Sequence, residues 1–544
     1  MDYYIGVDVG TGSARAALVS LEGKIKKTAV HSIKTFISSS VFYEQSSNDI
    51  WEAVCQTVKI VTENVPKDNV KGIGFAATCS LVALDENGLP VTVSLSGKDE
   101  QNIILWLDHR AEEEANFINK SNHKILRYVG GKISLEMETP KMLWLKNNLP
   151  KSWARAQLLF DLPDFLTWRA TDAESRSLCS LVCKWNYCAD PSDNNGWNIE
   201  FFESIGLSDL SKSNWRRIGN KVQTPGDCVG SGLSATAAAE LGLRKGTPVA
   251  TSMIDAHAGG LGLVGCSVPG ISNDFSTRLG LICGTSTCHM IVNEKEIYVD
   301  GVWGPYYSAM VPRMWLNEGG QSATGKLLDH IIDTHPAIGA IRHKINGKMH
   351  VQQYLSEILQ AIAKQKNLPD VSYLTNNLHV WPDFHGNRSP LADPGLQGMI
   401  SGLTLSADEE SLALLYLATV QALTYGTKHI LEALTLAGHK VETLLICGGL
   451  SQNPLFTQIQ ADVLGLPVLT PLETESVLLG AAILGSYAAG VFPSVNDAVR
   501  SMGGLAKIVK PNKAVYKYHQ RKYQVFKKMV QDQKTYKELM EIET

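Results

Sequence analysis

Apolar runs of strand length appear at the N-terminus and again past the middle of the chain. Residues 5–9 and 14–20 read as two strands joined by the turn Gly10-Thr11-Gly12-Ser13, since each run is short, apolar and bounded by turn residues. Val70–Ala77 predicts another strand, with Leu81–Asp85 as its hairpin partner. Glu112 to Asn148 carries a helical pattern, and Val249–Met253 predicts a strand leading to Asp255. The Pro-, Gly- and Ser-rich segment Ser267–Ser276 marks a domain boundary. The opening theme then repeats, with apolar Leu279–Cys283, the turn Gly284-Thr285-Ser286-Thr287, and apolar Cys288–Val292. Two such units, each opening one half, predict a duplicated architecture. A strand at Thr443–Cys447, a Gly448-Gly449 turn and a helix at Pro454–Leu464 close the second half. Val477–Phe492 is too short and too interrupted by Gly and Ser to span a bilayer, and predicts a core helix. Residues past 510, rich in Lys and Tyr, predict an exposed C-terminal helix. The expected organisation is an N-terminal domain over 1–266, a second over 279–505, and a helical extension over 506–544.

The length of 544 residues calls for two or three domains. Apolar residues make up 44% and charged residues 19%, which fits large soluble cores. The net charge of −4 implies no broad basic field, which argues against a nucleic-acid partner. Ten cysteines lie scattered among apolar residues, the pattern of reduced thiols in the cytoplasm. Cys179, Cys183 and Cys188 lie close together, but no C-x-x-C pair or histidine at zinc spacing accompanies them, so they read as packing residues. The chain enters its first strand almost at once, so no targeting peptide is expected.

Two motifs fall short. Gly260-x-Gly262-x-x-Gly265 matches a dinucleotide fingerprint but lacks its acidic residue about twenty positions on, so these glycines read as close helix packing. Gly320 to Lys326 nearly fits a P-loop, but Leu327 stands where Mg2+ needs a hydroxyl, and a polar turn at Asn317–Gly319 precedes it.

What remains fits phosphoryl transfer, which requires phosphate donors, an acid for hydrated Mg2+, a base for the attacking hydroxyl, and exclusion of water. Gly10 and Gly12 let backbone N–H groups approach phosphate, Thr11 and Ser13 add hydroxyls, and Arg15 offsets charge. Asp8, at the strand end, is the candidate Mg2+ ligand through water. Gly284, Thr285 and Ser286 form a second such turn. Asp255 is the candidate general base, and an N-capping role is compatible with that position. In Trp106-Leu-Asp108-His109-Arg110, the polar side chains either hydrogen-bond a sugar or cap a helix and face solvent.

In order along the chain, Ile5–Ser13, Trp106–Arg110, Ile254–His257, Gly284–Ser286, Glu318–Ser322, Gly386–Pro390 and Cys447–Asn453 together resemble the FGGY carbohydrate kinases. The resemblance implies two ribonuclease-H-like domains of the actin-like ATPase superfamily, an α/β fold around a catalytic cleft. It implies ATP and Mg2+ as cofactors, Asp255 as base, and phosphate loops at Asp8–Ser13 and Gly284–Ser286. It also implies a nucleotide site at Gln321, Gly325, Gly448, Gly449 and Asn453. By similarity to ribulokinases, Thr78 to Ser80, Lys184 and Glu318 join Asp108, His109 and Asp255 around the sugar. Gly386-Asn387-Arg388, with Asp-Ala-His around the base, resembles the ribulokinase branch, so D-ribulose is the expected substrate. Other pentulose or polyol kinases are alternatives. So is a conformational ATPase on the same superfold, which has no need of a polyol pocket. A metal hydrolase built from Asp108-His109, Asp255-x-His257 and Asp383-x-His385 lacks the H-E-x-x-H helix. A homodimer is allowed, and no membrane partner is expected.

Overall fold

The computed structural model describes residues 1–190 and 195–540. Two sheets share one plan. In the first, Tyr3–Val9 pairs antiparallel with Ser13–Ser20 and parallel with Val70–Ala77. In the second, Arg278–Cys283 pairs antiparallel with Thr287–Asn293 and parallel with Thr443–Cys447. The expected duplication is therefore present at the level of strand pairing. In each half the glycine turn sits at the same end of the central hairpin.

Two helices join the halves. Asp255–Val264 leaves the first sheet and packs against the second, while Ser476–Ala488 packs on Tyr3–Val9 and Val70–Ala77 of the first. The approach is as close as backbone permits. A Cβ on Gly6 would lie 1.9 Å from the Leu478 carbonyl oxygen, and one on Gly74 would lie 2.0 Å from that of Ala481. The two helices touch at Gly262, where a Cβ would meet the Ser476 carbonyl at 2.1 Å. The incomplete dinucleotide fingerprint is thus a helix-packing surface, as expected.

Several sequence expectations need correction. Leu81–Leu84 does not pair with Val70–Ala77; it joins a separate sheet between Ile103–Ile104 and Leu158–Asp161. The three residues between the two strands hold buried polar groups and turn the chain away from the first sheet. The strand before Asp255 shrinks to Met253–Ile254, with an isolated bridge at Val249. The Glu112–Asn148 region breaks into helices Glu112–Lys120 and Glu138–Asn148 around a short 3-10 turn. Asn317–Gly319 is no turn but lies inside the buried strand Trp315–Gln321, because Asn317 and Glu318 find partners there. The C-terminal helix Tyr516–Met540 is not simply exposed; it buries His519, Lys522, Tyr523 and Phe526 against the second half. Residues 541–544 of the expected extension lie outside the described residues. No described helix is long and apolar enough to cross a membrane.

Candidate active site

The first glycine turn is held open from below. Gly10 N–H donates to the Ser13 carbonyl at 3.0 Å, closing the turn. Trp106 Nε1 donates to Thr11 Oγ1 at 3.0 Å, and Gln45 Nε2 to the Thr11 carbonyl at 2.8 Å. A Cβ on Gly12 would meet nothing within 4 Å, so that backbone faces open space. Asp8, at the end of Tyr3–Val9, is 1% exposed. Its Oδ2 accepts from Arg15, while its Oδ1 has no hydrogen-bond partner. Burial raises the Asp8 pKa and Arg15 opposes that.

Asp255 stands at the first position of its helix, where its Oδ1 accepts from Ala256 N–H at 2.6 Å. The strand Met253–Ile254 ends immediately before this residue, and the helix begins with it. Asp255 keeps a partly exposed face. Burial first, and the nearby charge of Asp8 second, push its pKa up to about 6. The Ala256 N–H pulls it the other way.

His257, two residues after Asp255, belongs to a buried network of opposite charges. Glu318 Oε1 accepts from Arg388 Nη2 at 2.6 Å, and Glu318 Oε2 lies 3.2 Å from His257 Nε2. Burial alone would raise the Glu318 pKa, yet Lys184 and His257 hold it well below the usual carboxylate range. Lys184 and Arg388 both sit over the Trp303 ring, at 4.4 and 4.1 Å from its centroid. Lys184 Nζ is 3.9 Å from Glu136 Oε2. Arg388 lies across Gly320, where a Cβ would come within 2.6 Å of its Cδ. This set of fixed, desolvated charges can orient a polyol by its hydroxyls. Thr78 and Ser80 lie beside the first sheet, with hydroxyls 3.4 Å apart, and both are buried. His109 is partly exposed; burial lowers its pKa, with Glu136 opposing.

Asp108 and Arg110 require a correction. Asp108 accepts from Arg110 Nε and Nη2, from the Arg110 N–H and from the Tyr43 N–H, at 2.7 to 3.0 Å. Arg110 also reaches Glu44 and the Val93 carbonyl and lies over the Phe42 ring. Both side chains are buried, and four donors saturate the carboxylate. The pair braces the segment that presents His109, and leaves Asp108 no free acceptor for a sugar hydroxyl.

Gly284, Gly325 and Gly448 converge at the second turn. Gly325 N–H donates to the Gly284 carbonyl at 3.2 Å, and Gly448, at φ +84°, approaches the Cys283 carbonyl so closely that a Cβ would lie 2.3 Å away. Only glycine combines that backbone angle with that approach. Thr285 offers its carbonyl to Thr324 and Lys326. Ser286 closes the turn through its carbonyl, and Gly449 has an open Cβ position. Gln321 and Asn453 are engaged internally. Gln321 Nε2 donates to the Leu423 carbonyl at 2.9 Å. Asn453 caps the helix Pro454–Leu464 and donates to Tyr416 Oη at 2.6 Å.

Trp303, Glu136 and Glu475 carry no motif signal and were missed by sequence reasoning. Arg388 was visible only as part of Gly386–Arg388.

The FGGY carbohydrate kinase N-terminal domain matches residues 3–262, and the C-terminal domain of the same family matches 279–489. A Xenopus laevis FGGY carbohydrate kinase domain-containing protein is 51% identical over 99% of this chain and 98% of its own length. A Saccharomyces cerevisiae D-ribulokinase is 40% identical over 90% of this chain and 72% of its own. Among solved structures, a "xyloylose kinase" from Brucella ovis aligns with a TM-score of 0.80 at 20% identity, over 98% of this chain and 99% of that one, which speaks to fold alone. Two sheets with the same strand pairing, a partly exposed carboxylate at a helix start two residues before the buried charge network, and family matches across both halves lead to one assignment: the chain belongs to the FGGY family of carbohydrate kinases.

Proposed function

We propose that the protein transfers the γ-phosphoryl group of ATP to the terminal hydroxyl of D-ribulose, giving D-ribulose 5-phosphate and ADP. The observation that carries the chemistry is the position of Asp255. It interacts electrostatically with Asp8 and Arg15 on the side of the glycine turn, and with Lys184 and His257 on the side of the buried charges. The choice of sugar is supported by the relative named a D-ribulokinase.

In this reading the hydroxyl oxygen forms the new bond to phosphorus as the bond to the ADP oxygen breaks, and Asp255 takes the hydroxyl proton. Its raised pKa suits a base that must hold and then release that proton near neutrality. Glu318, Lys184, His109 and Thr78 with Ser80 orient the sugar, and Asp108 holds His109 in place. Gly10 to Ser13 and Gly284 to Ser286 hold the phosphates, with Arg15 balancing their charge. Gly325, Gly448 and Gly449 leave room for the nucleoside, and Gln321 and Asn453 brace the walls. Asp8 Oδ1, buried with no hydrogen-bond partner, fits a hydrated Mg2+. When bound there, Mg2+ would neutralise phosphate charge. Residues 1–266 and 279–505 act as two domains, with Ser476–Ala488 held to the first sheet during any closure, and the protein acts in the cytoplasm.

The test is a competition among D-ribulose, D-xylulose, L-ribulose, ribitol and glycerol at equal concentration with ATP and Mg2+, the phosphate position being read by NMR. D-Ribulose should lead each single-epimer competitor by roughly 5- to 150-fold in kcat/KM, the effect of one unpaired buried group costing about 1–3 kcal/mol. A lead for D-xylulose or glycerol rejects the sugar assignment, and no turnover of any of them rejects the kinase reading for pentuloses.

A further inference from the structure

Three buried side chains form a cluster to which the proposed phosphoryl transfer assigns no role. Cys179 and Cys183 are four residues apart on the helix Leu178–Lys184, so one face carries both thiols. His257, on the helix Asp255–Val264, meets them there. The two sulfurs and a ring nitrogen lie within 4.8 Å of one another, and all three residues are buried. The Cys183 Sγ to His257 Nε2 separation is 3.6 Å. A tetrahedral zinc with Zn–S of about 2.3 Å and Zn–N of about 2.0 Å has ligand–ligand edges of about 3.5 to 3.8 Å. The Cys183–His257 edge falls in this range, and the Cys179 sulfur lies within 4.8 Å of both its partners.

A fourth position is also within reach. Glu318 Oε2 lies 3.2 Å from the same His257 Nε2 and has no hydrogen bond of its own. An oxygen–nitrogen edge around tetrahedral zinc is about 3.3 Å. Two sulfurs, one imidazole and one place for a carboxylate or water suit a thiophilic ion far better than Mg2+, which prefers six oxygens. Asp255 and Ala256, which begin the same helix as His257, are partly exposed.

We propose that Cys179, Cys183 and His257 bind one thiophilic divalent cation, Zn2+, and that its binding inhibits the kinase. On binding, each thiol releases its proton to solvent, and the ring ligates through Nε2 and keeps its proton on Nδ1. Glu318 then loses its imidazole contact and is drawn toward the metal, away from Arg388. The inhibition rests on the proposed role of Glu318 in the sugar pocket; the binding does not.

The experiment uses full-length reduced protein, stripped with a chelator and titrated with Co2+ as an optical probe. One Co2+ per chain should produce a thiolate-to-cobalt charge-transfer band with the visible bands of tetrahedral cobalt. Zn2+ should displace it. Cys183→Ser should weaken the band and Cys179→Ser/Cys183→Ser should abolish it, while Cys228→Ser, at an exposed thiol, should leave it unchanged. Zn2+ should raise the apparent KM for D-ribulose about 5- to 150-fold, the usual range for coupled sites, in wild type but not in the double variant. No thiolate band in the wild type, or a band that survives the double substitution, overturns the site. A band with an unchanged KM overturns the inhibition. A band in a protein that phosphorylates no pentulose leaves the site standing and rejects the proposed function instead.

Discussion

Arg15 bridges the two halves of the protein: it pairs with Asp8 beneath its own glycine turn, and its Nη1 lies 3.1 Å from Glu475 Oε2, one residue before the helix Ser476–Ala488. The guanidinium thus occupies one oxygen of Asp8 and leaves the other for a ligand. Burial would lower the Arg15 pKa, but Asp8, Glu475 and Asp255 more than offset it, so the charge is permanent.

Asp8→Ala should therefore abolish most Mg2+·ATP use while leaving sugar affinity close to wild type. Separate calorimetric titrations with nucleotide and sugar decide this, and an equal loss of both would indicate a folding defect. Glu475→Gln should be milder. Both partners of the outer pair are more than a third exposed on their side chains, so stability should change by less than about 1 kcal/mol.

Asp255→Asn keeps the shape and the Ala256 contact at Oδ1 but cannot take the hydroxyl proton. We expect nucleotide binding to hold and kcat to fall about 10²- to 10⁴-fold. Near-wild-type turnover by this variant would remove Asp255 from the base role.

Gly74→Ala should destabilise the protein by about 1–3 kcal/mol or more, because the added methyl has only backbone to displace. Gly339→Ala is the control. It lies in the helix Ile338–Ile345 with nothing within 4 Å of its Cβ position, and should gain up to about 1 kcal/mol from helix propensity. Urea midpoints of the two variants should move in opposite directions.

Acid should weaken the second half through its buried imidazoles. His439 bonds Asn317, His519 bonds Tyr425, and burial lowers the pKa of each to about 4. The unfolded chain takes up these protons near pH 6.5 and the folded chain only near 4, so stability is complete above the unfolded value and falls between pH 6.5 and 4. The loss should be on the order of 3 kcal/mol for each. Glu138, whose burial pushes its pKa up to about 7, works in the opposite direction, so total stability is not the readout. The difference in urea midpoint between wild type and His439→Gln, followed from pH 7.5 to 4.5, isolates the histidine. A difference that stays constant with pH would refute this account.

The strands and turns of the proposed phosphate side were legible in the sequence because their requirements are local. Neither Gly10 nor Gly12 takes a positive φ, and a Cβ on either would meet nothing closer than 3.9 Å, so only an approaching ligand would require glycine there, whereas Gly448 needs its positive φ for its own geometry. The helix at Pro454–Leu464 announced itself through its proline and its capping Asn453. The proposed sugar side was legible only in part. Glu318 and Arg388 are 70 residues apart, and the Trp303 ring beneath Lys184 and Arg388 carries no pattern of its own. Asp108 and Arg110 looked like ligands because a sequence shows polar side chains but not which of them saturate one another. Likewise Cys179 and Cys183 had no histidine within local spacing, since His257 arrives from a helix 74 residues later. The exchange of helices between the halves, fixed at Gly6, Gly74 and Gly262, was also decided only in three dimensions. Local backbone needs are written residue by residue, whereas a buried charge takes whichever partner the packing of distant elements brings within reach.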